Sequence, residues 1–240
     1  MALMLTGCGK PSGAPPPSAA PAGTSAELFG TGIIAGKVMF KGEAPKPVFL
    51  RIDADPYCVS THTGKVASEE VSVNADGTLR NVFVYVKQGV SGTYPTPKEA
   101  ATIDQNGCLY RPRVQGMQVG QPLVIRNSDD TLHNIHCLAE KNAAFNLGQP
   151  VKGMEAKKMF TQAEVMMRFK CDVHSWMTAY IGVLEHPFFA VTGDDGAFTI
   201  QKLPAGEYVI EAWHEKFGAQ QQKIAVAKDE TKTIAFEFQP

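Results

Sequence analysis

The chain has 240 residues, 23 basic and 24 acidic side chains, a net charge of -1 and 44% apolar residues. That size suits one large or two ordinary domains with a real core. The balanced charge leaves no footprint for nucleic acid and no polybasic patch for a membrane surface, and no apolar run is long enough to span a bilayer.

Taken in chain order, the first feature is Leu5-Thr6-Gly7-Cys8, which resembles the lipobox of bacterial lipoproteins. There the signal is cut before the cysteine and the cysteine is acylated. Residues 1–8 therefore read as a signal remnant. The following stretch, 9–28, carries Pro11, Pro15, Pro16, Pro17 and Pro21 among Gly, Ser and Ala, and reads as a disordered tether. No Lys or Arg precedes the short apolar run, so the true start is expected upstream. The resemblance implies export to the periplasm or outer cell envelope, with membrane contact through a lipid at Cys8. The competing reading is a disordered tail with an incidental cysteine.

From residue 29 the pattern is strand-like. Ile33 to Phe40 ends at Lys41-Gly42, and Asn81 to Val86 is a continuous apolar run suited to a sheet covered on both faces. Near the end, Ile234, Phe236 and Phe238 alternate with Thr233, Ala235 and Glu237. Turn signals recur at Asp76-Gly77, Asn106-Gly107, Asp195-Gly196 and Pro204-Ala205-Gly206. No segment shows long helical periodicity. The expected class is all-β, built as sandwiches.

Chemistry concentrates in Cys171-Asp172-Val173-His174-Ser175-Trp176-Met177, a C-x2-H-x2-M loop, and in His133-Asn134-Ile135-His136 upstream. A soft thiolate, two imidazoles and a weak axial thioether suit copper cycling between Cu(I) and Cu(II). One loop cannot encircle an ion, so the fourth ligand must come from another strand. His136 follows His133 by three and faces the opposite side of a strand, so it reads as a non-ligand. Zinc fits less well, because a thioether is a poor zinc ligand.

On these residues the stretch from about Gly107 to Glu185 resembles a cupredoxin, and its ligand loop is most similar to that of amicyanin. The resemblance implies a cupredoxin Greek-key β-sandwich over 99–186 and one type 1 copper held by His133, Cys171, His174 and Met177. It implies that Asn134 ties the ligand loops together. It also implies an electron carrier rather than an enzyme, with His174 at an edge as the exit path. The implied partner is another exported redox protein, a cytochrome or quinoprotein dehydrogenase. Two departures stand out: Ser175 replaces a frequent proline, and Asp172 replaces a small hydroxyl residue. An ionised Asp172 beside the thiolate is expected to favour Cu(II). Trp176 reads equally as an exposed electron port or as a lid.

The flanks resemble a different family. Thr192 to Phe198 and Leu203 to Tyr208 are similar to the turns of the carboxypeptidase regulatory-like, transthyretin-like sandwich, and Gly36 to Gly42 is similar to its opening strand. A boundary is expected near residue 187, with 187–240 forming this smaller sandwich. Residues 29–98 read as an N-terminal β region supplying its early strands, with the cupredoxin inserted between.

The remaining candidates are less specific. Cys58 and Cys108, both in loop-like segments, could pair in an oxidising compartment. Cys137 reads as a small buried hydrophobe. His186 and His214 read either as a second metal site or as satisfied histidines at a domain interface, and His62 as a surface residue. Met154, Met159, Met166 and Met167 keep open a copper delivery or storage role. A third reading is a β-sandwich recognition module with an inactive metal site. A multicopper oxidase is disfavoured, since six histidines include no H-x-H pair.

Overall fold

The computed structural model describes residues 28–240. Cys8, the lipobox and the tether up to residue 27 lie outside the described residues. The described chain is β almost throughout, with sixteen strands in four sheets. None of its helices is long and apolar enough to cross a membrane.

One pair of sheets draws on both ends of the chain. β1 (Gly32–Phe40) is central in a three-stranded sheet, antiparallel to β13 (Ala197–Leu203) and parallel to β16 (Thr231–Phe238). The other sheet runs β12 (Phe189–Val191), β2 (Phe83–Gln88), β14 (Gly206–His214), β15 (Gly218–Val226). Ile34, Val38, Val84, Val86, Phe198, Ile210 and Phe236 fill the space between the sheets. The inward positions of β16 are Ile234, Phe236 and Phe238, all buried at a period of two.

The second pair of sheets lies entirely between β2 and β12 in sequence. Its five-stranded sheet runs β5 (Val114–Gln118), β11 (Thr178–Leu184), β10 (Glu164–Lys170), β7 (His133–Leu138), β8 (Phe145–Gln149). Its four-stranded sheet runs β4 (Tyr110–Arg111), β3 (Ala101–Gln105), β6 (Pro122–Asn127), β9 (Glu155–Met159). Ile103, Leu123, Ile125, Ile135, Phe169 and Ile181 form the core between them.

The two sandwiches share a dry seam. Val84 and Val86 of β2 point into the first core, while Phe83 and Tyr85 point the other way, onto Val114, Met166 and Leu184. This two-sided burial explains why Val82 to Val86 is apolar without alternation. Gly116 and Gly182 make the approach possible: a Cβ at either would stand 2.7 Å from the Phe83 ring. Trp213 packs on Tyr180 across the seam, their rings 5.0 Å apart.

The segment joining β1 to β2 is different in kind. It holds a 3-10 turn, Ile52–Ala54, and a single helical turn, α1 (Pro56–Ser60). Cys58 therefore sits in a short helix rather than a loop. Asp55 caps that helix, its Oδ1 accepting the Tyr57 N–H at 2.8 Å, with Pro56 in the first turn. Cys58 is disulfide-bonded to Cys108, which lies in the turn after β3.

His214, only 1% exposed, stacks on Phe217 with ring centroids 4.7 Å apart. Its Nδ1 accepts the Lys216 N–H, and its Nε2 has no partner. Burial, reinforced by the charge of Arg113, pushes its pKa from the ordinary 6.5 down to about 4. The unfolded imidazole takes up its proton near pH 6.5, but the folded one only near pH 4. Stability from this group is therefore full above pH 6.5 and lost as pH falls through that window, by about 3 kcal/mol in all. Denaturant melts at pH 7 and pH 4.5 should show the drop, and His214→Phe should shrink it. An unchanged drop in the variant would place its origin elsewhere.

Candidate metal centre

The four predicted ligands come from three places at one end of the second sandwich. His133 opens β7, Cys171 follows β10 directly, and Met177 immediately precedes β11. β7 and β10 are paired, with Phe169 opposite Cys137 and Lys170 opposite His136, which sets the two ligand-bearing ends side by side. The loop between β10 and β11 closes on itself: Met177 N–H donates to His174 O at 2.9 Å, and Cys171 N–H donates to Met177 O at 3.2 Å. All four side chains are buried, with Met177 and His133 fully so.

The donor atoms converge. His133 Nδ1 lies 2.9 Å from His174 Nδ1, and Cys171 Sγ lies 3.8 Å from His174 Nδ1. His133, Cys171 and His174 each offer one donor atom within 4.8 Å of the others. Met177 shares a buried cluster with Cys171, Ile135 and Phe169.

Both imidazoles are oriented from behind. His133 Nε2 lies 2.9 Å from Asp129 Oδ2, and His174 Nε2 lies 3.0 Å from Asp55 Oδ2. A carboxylate there calls for a proton on Nε2, which leaves the Nδ1 lone pairs facing each other. Two lone pairs at that separation repel unless a shared proton or cation lies between them. The adjacent sulfur selects a soft, thiolate-binding metal as the cation that fits.

Burial opposes ionisation of the Cys171 thiol, but His133, His174 and the backbone N–H groups of Asn134 and His174 prevail, bringing its pKa down to about 6. It is thus poised as the thiolate that a metal requires. Burial likewise opposes a charged His133, and Asp129 with Cys171 outweighs it, raising the pKa above the usual value. Asp129 is held below the ordinary carboxylate range, against its burial, by His133 and the N–H groups of Cys108 and Gly107.

Asn134 spans the two ligand segments. Its Oδ1 accepts the Asp172 N–H at 2.6 Å and lies 3.2 Å from Cys171 Sγ. Asp172 turns outward: its carboxylate meets Lys170 Nζ at 2.8 Å, Asn146 Nδ2 at 2.7 Å and His136 Nδ1 at 3.0 Å. Lys170 foremost holds its pKa well below the usual range. Asp172 is therefore ionised, but its charge is compensated by Lys170 rather than left facing the sulfur. His136 points away from the ligands to this same carboxylate.

Two expectations are corrected. His174 is not an open edge: it is 2% exposed, with its outer nitrogen on Asp55. Trp176, half-buried, stacks 5.0 Å from the His174 ring and donates Nε1–H to Cys108 O at 3.0 Å, so it covers the ring. His62 is not a free surface residue either, since its Nε2 lies 2.8 Å from Gly107 O.

The other candidates do not gather. His186 bonds Val86 O and the Phe188 N–H and stacks on Phe188, while His214 bonds the Lys216 N–H and stacks on Phe217, so each is held by its own neighbours. Met154 and Met159 are exposed, while Met166 and Met167 belong to different buried clusters. Cys137 is buried and unpaired in the core. Sequence reasoning missed Asp55 and Asp129. Asp129 was within reach, four residues before His133 in the same stretch, but Asp55 lies 119 residues from its partner.

No protein-family model matches the chain, and no curated protein matches it. Solved structures that resemble it in part include a copper-containing nitrite reductase from Thermus scotoductus SA-01, at 20% identity and a TM-score of 0.35, covering 42% of this chain and 26% of that one. An amicyanin variant in its Cu(I) form is 22% identical with a TM-score of 0.31, covering 35% of this chain and 81% of that one. A purple cupredoxin from Nitrosopumilus maritimus is 21% identical with a TM-score of 0.30, covering 35% of this chain and 98% of that one.

Proposed function

We propose that this protein holds one copper ion as a type 1 site and carries single electrons, without catalysing a reaction of its own. His133, His174 and Cys171 are the strong ligands and Met177 the weak axial one. The observation that carries the reading is the pair of Nδ1 atoms facing each other at 2.9 Å, beside a thiol shifted toward its anion. When bound, copper supplies a one-electron couple between Cu(II) and Cu(I).

The protein's own contribution is rigidity. His133, Cys171 and Met177 sit at or beside strand ends, His174 is held in the short loop between two of them, and each imidazole is pinned by a carboxylate. Asn134 locks the cysteine loop to β7. Burial excludes water from the donors, so the ligands have little room to rearrange between oxidation states.

The location we propose is the periplasm or outer cell envelope, anchored by a lipid at Cys8. The Cys58–Cys108 disulfide supports an oxidising compartment. The proposed partner is an exported redox protein such as a cytochrome or quinoprotein dehydrogenase.

The test is direct. Stoichiometric Cu(II) added to the purified chain should produce intense visible absorption from thiolate-to-copper charge transfer. Cys171→Ser should abolish that colour while leaving the β-sheet circular dichroism intact. A wild-type protein that stays colourless would end the proposal.

A further inference from the structure

The outer side of the ligand pair is closed by a segment from far away in the chain. Residues 50–62 cross the metal end of the second sandwich as a strap. It is fastened by the Cys58–Cys108 disulfide, by His62 Nε2 at 2.8 Å from Gly107 O, and by the Thr131 hydroxyl donating to Asp55 Oδ2 at 2.8 Å. Asp55 divides its oxygens: Oδ1 caps α1 through the Tyr57 N–H, and Oδ2 takes the outer nitrogen of His174.

We infer that Asp55 is a positioning residue for His174, supplied by the strap from outside the sandwich that holds the metal ligands. This rests on the copper reading. A carboxylate behind a ligating imidazole fixes its tautomer, sets the ring orientation and raises its basicity. Its negative charge also favours the more highly charged oxidised ion over the reduced one. Asp129 treats His133 in the same way, but it also holds the Gly107 and Cys108 backbone. Asp55 can be altered with less collateral damage.

The experiment compares wild type, Asp55→Asn and Asp55→Ala in the full chain. In the copper-free protein, NMR should show a slowly exchanging His174 Nε2–H in wild type that is lost in Asp55→Ala. With copper, Asp55→Ala should lose about 10–100-fold in Cu(II) affinity. Cu(I) affinity should fall less, so the reduction potential rises. Asp55→Asn keeps an acceptor without the charge and should fall between. A role limited to holding the strap would lower both affinities equally. Equal losses, or none, would overturn the inference, as would a wild-type Nε2–H that exchanges like that of free imidazole. If the wild type takes up no copper while that proton stays protected, the copper reading fails but the Asp55–His174 contact stands.

Discussion

Replacing Arg113 by alanine should destabilise the protein by about 3–5 kcal/mol, the cost of leaving one partner of a buried ion pair without the other. Arg113 precedes β5 in the inner sandwich, and Glu215 follows β14 in the outer one. They meet fork to fork, Nε to Oε1 at 2.6 Å and Nη2 to Oε2 at 2.7 Å. The side chains are only 11% and 6% exposed, so neither charge has water to fall back on. Burial lowers the pKa of Arg113, yet Glu215 raises it further, so Arg113 keeps its charge in the folded state. Glu215→Ala should cost a similar amount. The double variant Arg113→Met with Glu215→Leu should recover most of the loss, because it leaves no orphaned charge. Urea melts of wild type and these three variants measure the two losses and the recovery. A single-variant cost below about 1 kcal/mol, the range of exposed pairs, would mean that water reaches the seam.

Removing the Cys58–Cys108 bond has the second large effect. The bridge spans a sequence separation of 50 residues. The loop-closure model assigns a crosslink of that span about 4 kcal/mol, chiefly by restricting the unfolded chain. Cys58→Ala with Cys108→Ala should show this loss in thermal melts, and wild type under strong reductant should approach the same value. The effect should not stop at stability. Cys58 is the one fully buried side chain of α1, so the bridge is its deepest anchor beside the polar contacts of Asp55 and His62. Without the bridge, Asp55 should be held less firmly behind His174. The double variant should therefore shift copper affinity in the direction of Asp55→Ala. A variant with unchanged melting and unchanged affinity would show that the polar contacts alone hold the strap.

Much of the β architecture was readable from pattern. Period-two alternation marked β16 because one face of that strand meets a core and the other meets solvent. The unbroken apolar run at β2 signalled two covered faces, and the two faces belong to different cores. The ligand loop was legible because a thiol, an imidazole and a thioether at fixed spacing leave few alternative uses. What escaped was everything that depends on long-range placement. Asp55 looks like an ordinary turn residue, and its role appears only when a segment distant in sequence folds over His174. For the same reason His174 looked like an open edge. Residues 41–82 carry no regular strand, and their organisation comes from isolated bridges such as Phe49–Ala67 and Val73–Leu79, a disulfide and side-chain hydrogen bonds, which leave no periodic trace.

The parallel pairing of β1 with β16 has a consequence for the order of events during synthesis. β1 emerges early, but the strand that flanks it over eight consecutive registers is made only after the whole inner sandwich. The outer sandwich therefore cannot close until β3 through β11 have already been produced, and its first hydrophobic strand must wait unpaired on that side. Such delayed long-range pairing favours slow assembly and transient exposure to aggregation. The inner module, whose strands are contiguous in sequence, is free to mature first and serve as the template on which the outer strands settle.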